Sequence, residues 1–199
     1  MRCQYHKTGL FTPENFVERF NNDLCNDLGN LLNRTVAMCN KYFEGFVPKY
    51  NGYINEVDEK FEKETIQKIK SVEEYIEKFE MNNALQEIFN IVSRTNKYID
   101  ETMPWAQAKD ENKEPLESTI YHLIENLRKI AIMIIPVMPK TAEKILLQIG
   151  VSQDSIDWES MEKYESLQDK TKVIEKGEPL FMRLNTEEEI DYIKSQMNG

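Results

Sequence analysis

The chain has 199 residues, of which 40% are hydrophobic and 30% are charged, as in an ordinary soluble globular protein. No run approaches the roughly 18 apolar residues that span a bilayer, so the sequence indicates no transmembrane helix and no membrane partner. The formal net charge of −10 argues against non-specific binding to nucleic acid, DNA included.

The acidic excess is unevenly distributed. Residues 51–80 hold nine acidic against five basic side chains, and residues 152–199 hold twelve against six. The rest of the chain, which carries the sequence motifs, is nearly balanced. A nucleic-acid partner is therefore possible only through a local surface.

The three cysteines, Cys3, Cys25 and Cys39, have no paired spacing. Cys25 and Cys39 lie on or beside an apolar helix face, which predicts buried free thiols and a cytoplasmic location. Cys3 and His6 form a lone C-x-x-H, which is too few ligands for zinc. We expect no metal site.

The pattern of apolar residues predicts an all-α fold. Thr12 and Pro13 begin a short helix to about Asn21. Asn21-Asn22-Asp23 predicts a break or kink before a long helix, which Gly45 and Pro48 end. Helices are then expected over 54–79, 83–103, 115–135 and 140–149, with a charged loop at 106–115.

Order weakens beyond residue 150. A short helix is expected around Trp158, extended segments over 171–184, and a terminal helix over 186–197 with a capping signature at Thr186. The predicted architecture is a helical bundle of about five main helices with a C-terminal extension.

The stretch Asp23–Phe43 has one apolar face and an unusual polar face. That polar face carries asparagines, a glycine and an arginine, although asparagine and glycine disfavour helices. Asn26, Asn30 and Arg34 fall at i, i+4 and i+8, in one line. Such a line can bind the hydrogen-bonding edges of unstacked bases. Equally, the helix could be packed on both sides, with the asparagines satisfied internally.

Catalytic chemistry is hard to assemble from this sequence. Only His6 and His122 are histidines, and His122 lies in an otherwise apolar helix, where a satisfied, partly buried role is expected. No glycine-rich phosphate loop and no G-x-S-x-G motif is present. The residues therefore indicate a binding module without catalytic residues.

Several sequence blocks resemble the C-terminal helical region of methionyl-tRNA synthetases. They span roughly residues 11–190 in the order DLCNDLGNLLNR, MCNKYF, NKYIDETMPWAQAKDE, LRKIAIMIIPVMPKTAEKI and GEPLFMRLN. DLGN-x-x-NR and PW-x-x-AK together are fairly specific to this enzyme among related class I synthetases. The resemblance implies a helical bundle that binds the CAU anticodon of tRNA(Met).

The resemblance also implies which residues bind the anticodon. In that family an asparagine and an arginine four residues apart, and a tryptophan after a proline, read the anticodon. Here these are Asn30, Arg34 and Trp105 with Pro104, and we add Asn26 and Asn33 from the same polar face as candidates. We expect Trp105 to be at least partly exposed near Asn30 and Arg34.

The family's HIGH and KMSKS motifs and its zinc-binding insertion are absent from this sequence. The resemblance therefore implies a fragment without cofactor that cannot activate methionine alone, whereas the full-length ligase uses ATP with Mg²⁺. Its expected partners are the tRNA(Met) anticodon stem-loop and the missing catalytic domain of the same polypeptide. The alternative is a non-enzymatic helical interaction module that kept the fold without binding tRNA.

The implied division has a connecting segment at 1–11, the anticodon-binding bundle at 12–151, and an extension at 152–199 that returns toward the catalytic domain. Without that domain, Leu180, Phe181 and Met182 lose part of their docking surface. The segment then either folds back onto the bundle or pairs with a second copy, and we favour folding back.

Overall fold

The computed structural model describes residues 11–52, 55–152 and 156–197. Its helices run in the order α1 (Pro13–Arg19), a π-helical segment (Phe20–Gly29), α2 (Asn30–Phe43), α3 (Glu56–Glu77), α4 (Met81–Thr102), α5 (Pro104–Gln107), α6 (Glu114–Ile134), α7 (Pro139–Gln148), a 3₁₀ helix (Glu159–Glu162) and α8 (Thr186–Met197). Those residues contain no β-sheet, only one isolated antiparallel bridge between Phe46 and Lys172. The all-α prediction is confirmed.

The sequence predicts a break or a kink at residues 21–23, and the break is wrong. Residues 13–43 form one uninterrupted helix whose middle part is π-helical. Asn21 and Asp23 do not end it because each has a side-chain partner. The Asn21 amide is buried against Leu184, and Asp23 pairs with Arg19 at 2.9 Å. An asparagine pair that usually marks a turn is here held in a helix by tertiary contacts.

Most other helices begin and end within two residues of their predicted limits. Local signals explain this agreement. Asn55 caps α3 by accepting from the amides of Val57 and Asp58, and prolines occupy the first turns of α6 and α7. The predicted start of α3 at residue 54 lies outside the described residues. The predicted loop at 106–115 is shorter than expected, because residues 106–107 belong to the short helix α5 and residues 114–115 to α6.

Helix α6 is the centre of the molecule. Every residue from Ser118 to Ile134 is buried, because α2, α3, α4 and α7 pack around it. His122, Glu125, Asn126, Arg128 and Lys129 on α6 are buried and have hydrogen-bond partners, as buried polar groups usually do. His122 lies 2.6 Å from both a Glu62 carboxylate oxygen and the Ser118 carbonyl. The expectation that His122 is a satisfied residue is confirmed, although it is fully buried.

A buried ionic cluster on α6 holds the 3₁₀ helix and the residues after it. Arg128 donates twice to the carboxylate of Glu125 and also to Ser160. The Lys129 ammonium donates to the carbonyls of Met161 and Lys163. These bonds attach residues 159–164 to the bundle.

Residues 171–184, hereafter the C-terminal segment, fold back onto the bundle. Val173 donates to the Gly45 carbonyl and Ile174 to the Gln148 carbonyl. Leu180 is buried and Phe181 is half-buried, whereas Met182 is 78% exposed. Helix α8 then packs on α1. The preference for folding back over self-association agrees with this arrangement.

Candidate nucleic-acid interface

Helices α2 and α4 are in contact, and one predicted site residue of α2, Arg34, lies near the end of α4. The Arg34 guanidinium lies 3.3 Å from the Asp100 carboxylate, two residues before the end of α4. One turn earlier on α4, Asn96 donates to the Asp27 carbonyl at 3.2 Å. These contacts align α2 along the C-terminal half of α4.

A sharp turn places Trp105 beside this end of α4. Met103 takes a left-handed conformation with φ of +48°, which ends α4, and Pro104 begins α5 at once. Pro104 is buried and anchors the turn, whereas Trp105 is 46% exposed. The expectation of an exposed Trp105 ring is confirmed. Its ring offers a flat face to solvent.

Asn30 is the first residue of α2 and is exposed one turn before Arg34. Within residues 11–52, 55–152 and 156–197 its side-chain amide makes no hydrogen bond. Both the amide oxygen and the amide nitrogen are therefore available to a ligand. We treat the exposed surface that carries Asn30 and Arg34 on α2, together with Trp105 just after α4, as the candidate interface.

The other asparagines of the polar face contact the C-terminal segment instead. Asn26 accepts from the Arg183 guanidinium at 3.0 Å, and Asn40 donates to the Ile174 carbonyl at 2.8 Å. A Cβ added to Gly177 would lie 3.3 Å from the Asn33 amide oxygen. The polar face is thus divided between internal packing and an open surface, which combines the two interpretations of the sequence.

Several residues of this surface have no signal in the sequence. Asp100 partly neutralises Arg34, and Asn96 holds the π-helical segment. Burial raises the pKa of the Asp27 carboxyl, and the neighbouring Asp23 carboxylate raises that pKa further. Periodicity marks none of them, because their roles come from contacts with a different helix, which the sequence pattern does not report.

The arrangement is suited to binding and not to bond-breaking chemistry. An exposed indole can stack on an unpaired base, and an amide with a guanidinium can bond base edges. Among the described residues, no group of three or more His, Cys, Asp or Glu side chains could hold a metal ion. Within the part of the chain that the structure describes, no helix is both long and apolar enough to cross a membrane.

Comparison with known families shows which family the chain belongs to. A family model described as the anticodon binding domain of methionyl tRNA ligase matches residues 47–199. The chain belongs to this family. The model includes Trp105 and begins after Asn30 and Arg34.

Sequence relatives extend this similarity over almost the whole chain. A Bacillus subtilis methionine–tRNA ligase is 51% identical over 193 residues, and one from Listeria monocytogenes is 47% identical over 193 residues. Each alignment covers 96% of this chain and 29% of the relative. The chain therefore spans less than a third of the length of these methionine–tRNA ligases.

Solved structures agree on the fold. The free-state methionyl-tRNA synthetase of Mycobacterium tuberculosis superposes with a TM-score of 0.79 at 28% identity, over 88% of this chain and 35% of that one. The same enzyme bound by methionyl-adenylate gives a TM-score of 0.78. The helical arrangement described above is that of a methionyl-tRNA synthetase region.

Proposed function

We propose that this chain recognises the CAU anticodon of tRNA(Met) as part of a methionine–tRNA ligase. The observation that supports the proposal is the contact of Arg34 with Asp100 near the end of α4, five residues before the partly exposed Trp105 and one helical turn after the exposed Asn30. Membership of the anticodon-binding family supports it.

In this proposal each residue has a distinct task. The Trp105 face stacks on a base splayed from the loop, which is worth about 1–3 kcal/mol for one base. Arg34 and Asn30 bond base edges, with the directionality that bidentate donors give. Pro104 holds the indole at the surface. Asn26 and Asn33 act from beneath, through their contacts with the C-terminal segment.

The proposal assigns the rest of the reaction to a separate catalytic part of the ligase. That part would use ATP and Mg²⁺ to activate methionine in the cytoplasm, and this chain alone would not. We further propose the bundle at 12–151 as the RNA-binding unit, with 1–11 as its connection and 152–199 as the extension that faces the catalytic part.

An RNA-binding measurement tests the proposal. An anticodon stem-loop with CAU should bind more tightly than one with a changed first anticodon base, by about 1–3 kcal/mol. Trp105→Ala and Arg34→Ala should each remove most of that binding. Lys78→Ala, just after α3, is the control, because the Lys78 side chain is 60% exposed and pairs, among the described residues, only with Glu74 of its own helix; it should bind as the unsubstituted chain does.

The alternative function, a helical interaction module without tRNA binding, makes the opposite forecast. Equal binding of both stem-loops by the unsubstituted chain at moderate salt would favour it. Loss of binding in Lys78→Ala to the same extent as in Arg34→Ala would also reject base recognition, because both changes remove one positive charge from the surface.

A further inference from the structure

The π-helical segment is held by the C-terminal segment through a buried amide. Asn21 is 4% exposed, and its side-chain amide makes two hydrogen bonds to the backbone of a single residue, Leu184. It accepts from the Leu184 N–H at 2.9 Å and donates to the Leu184 carbonyl at 3.1 Å. An asparagine inside a helix is unfavourable locally, so these two bonds account for its presence there.

Two more contacts fix the same surfaces together. The Phe181 ring meets the Phe20 ring edge-on, with centroids 5.8 Å apart. The Arg183 guanidinium donates to Asn26 at 3.0 Å. The C-terminal segment thus contacts the π-helical segment near its beginning and at its middle.

The π-helical segment leads directly into the candidate interface. The Asn30 backbone N–H bonds to the carbonyl of Cys25, five residues earlier, and to that of Asp27. Asn96 of α4 donates to the same Asp27 carbonyl. A five-residue hydrogen-bond spacing makes a wider turn than the ordinary α-helix, so each residue rotates less about the helix axis. The direction of the Asn30 side chain therefore depends on the π-helical pattern.

We propose that the C-terminal segment is a positioning element for anticodon recognition, and that Asn21 is its principal positioning residue. Docking of Leu184 and Phe181 keeps residues 20–29 π-helical and so directs Asn30 toward the RNA. Asn21 itself lies beneath the C-terminal segment and touches no base. The recognition part of this inference rests on the proposed function; the effect on Asn30 does not.

Two variants break the docking from opposite sides. Asn21→Leu keeps the side-chain shape and removes both bonds to Leu184. Phe181→Ala removes the ring contact without substituting any residue of the π-helical segment. Met182→Ala is the matched control, because Met182 adjoins Phe181 and is 78% exposed. All chains are studied well below their thermal unfolding midpoints, with folding checked by circular dichroism.

The first measurement needs no RNA. The side-chain amide signal of Asn30, assigned by its loss in Asn30→Ala, is followed by ¹H–¹⁵N NMR. It should move in Asn21→Leu and in Phe181→Ala, and stay in place in Met182→Ala. A variant that is merely less stable would leave this signal unmoved while folded. An unmoved signal in both docking variants overturns the inference.

The second measurement compares the CAU stem-loop with one changed at the first anticodon base. The ratio of their dissociation constants should fall at least about three-fold in both docking variants and stay unchanged in Met182→Ala. An unchanged ratio in folded docking variants overturns the positioning role. If the unsubstituted chain shows no discrimination, the proposed function fails, and the NMR signal alone decides whether the C-terminal segment directs Asn30.

Discussion

Arg34 has one partner in the folded chain, Asp100, and a second, the RNA, in the proposed function. Its guanidinium lies 3.3 Å from Asp100, and that carboxylate is 67% exposed. Such an exposed pair contributes little to stability, about 0–1 kcal/mol. Asp100 should have a larger effect on the affinity for the proposed RNA ligand, because it places a negative charge where phosphates and base carbonyls would approach.

The substitution Asp100→Asn should therefore tighten binding of RNA without regard to sequence. We expect the affinity for both the CAU stem-loop and the base-changed one to rise about two- to five-fold at low salt, since a repulsive charge is removed. Titration of labelled stem-loops measures this. Glu77→Gln, which removes a charge from the far end of α3, should leave both affinities unchanged; weaker binding by Asp100→Asn would contradict the prediction.

Asn30, Arg34 and Trp105 could be proposed from the sequence because their signals are local. A polar line on an apolar helix and a Pro-Trp at a helix end are visible without a fold. The hydrogen-bond partners of Asn26 and Asn40 could not be predicted, because they lie 157 and 134 residues away along the chain. No periodicity reports a hydrogen bond of that separation.

Elements show the same limit. Caps, prolines and glycines marked the ends of α3, α6, α7 and α8, since each signal acts within one helical turn. The π-helical segment escaped prediction because its asparagines favour a turn locally, whereas the partners that hold Asn21 and Asn26 in the helix, Leu184 and Arg183, lie far away along the chain. Helix continuity through residues 20–29 is a tertiary property.

The turn after α7 gives an element-scale prediction. Gly150 has φ of +73°, and a Cβ there would lie 2.0 Å from the Lys172 carbonyl oxygen. Gly52 has φ of +69°, and a Cβ added there would have no atom of the described residues within 4 Å. Both Gly→Ala changes meet the left-handed penalty, but only Gly150→Ala displaces the C-terminal segment.

Gly150→Ala should destabilise the chain by at least about 2 kcal/mol more than Gly52→Ala. Urea unfolding followed by circular dichroism gives the difference. Equal stabilities of the two variants would mean that the crossing of residue 172 over Gly150 is not tightly packed.

At the scale of the whole molecule, α6 contacts the surrounding elements through buried charged groups as well as through apolar packing. Burial away from water lowers the pKa of Lys129 to about 8, although the Glu125 carboxylate opposes that change. Its ammonium lies 3.6 Å from the centroid of the Tyr164 ring. Keeping this lysine charged is therefore unfavourable for the folded chain near neutral pH.

The sign of the pH effect follows from proton binding. Between about pH 8 and the ordinary lysine pKa of 10.5, the unfolded chain binds more protons at Lys129 than the folded chain does. Folding is then favoured as pH rises through this window. The gain attributable to Lys129 should be on the order of 3 kcal/mol across the whole window.

Comparison with Lys129→Met isolates this gain. Groups such as Cys39, whose pKa burial raises to about 12, titrate in both chains and cancel in the difference. Unfolding free energies at pH 7 and pH 10 should show the unsubstituted chain gaining on Lys129→Met. A difference that is independent of pH would contradict the assignment.

The bond between Asn21 and Leu184 has a consequence for synthesis. Its two partners are 163 residues apart in the chain. At about 5–20 residues per second, a ribosome would release α1 and the π-helical segment about 10–30 seconds before residue 184. During that interval Phe20 and Asn21 have no partner from the C-terminal segment. We expect this end of the molecule to be completed last in each newly made chain, and to be where nascent chains engage chaperones.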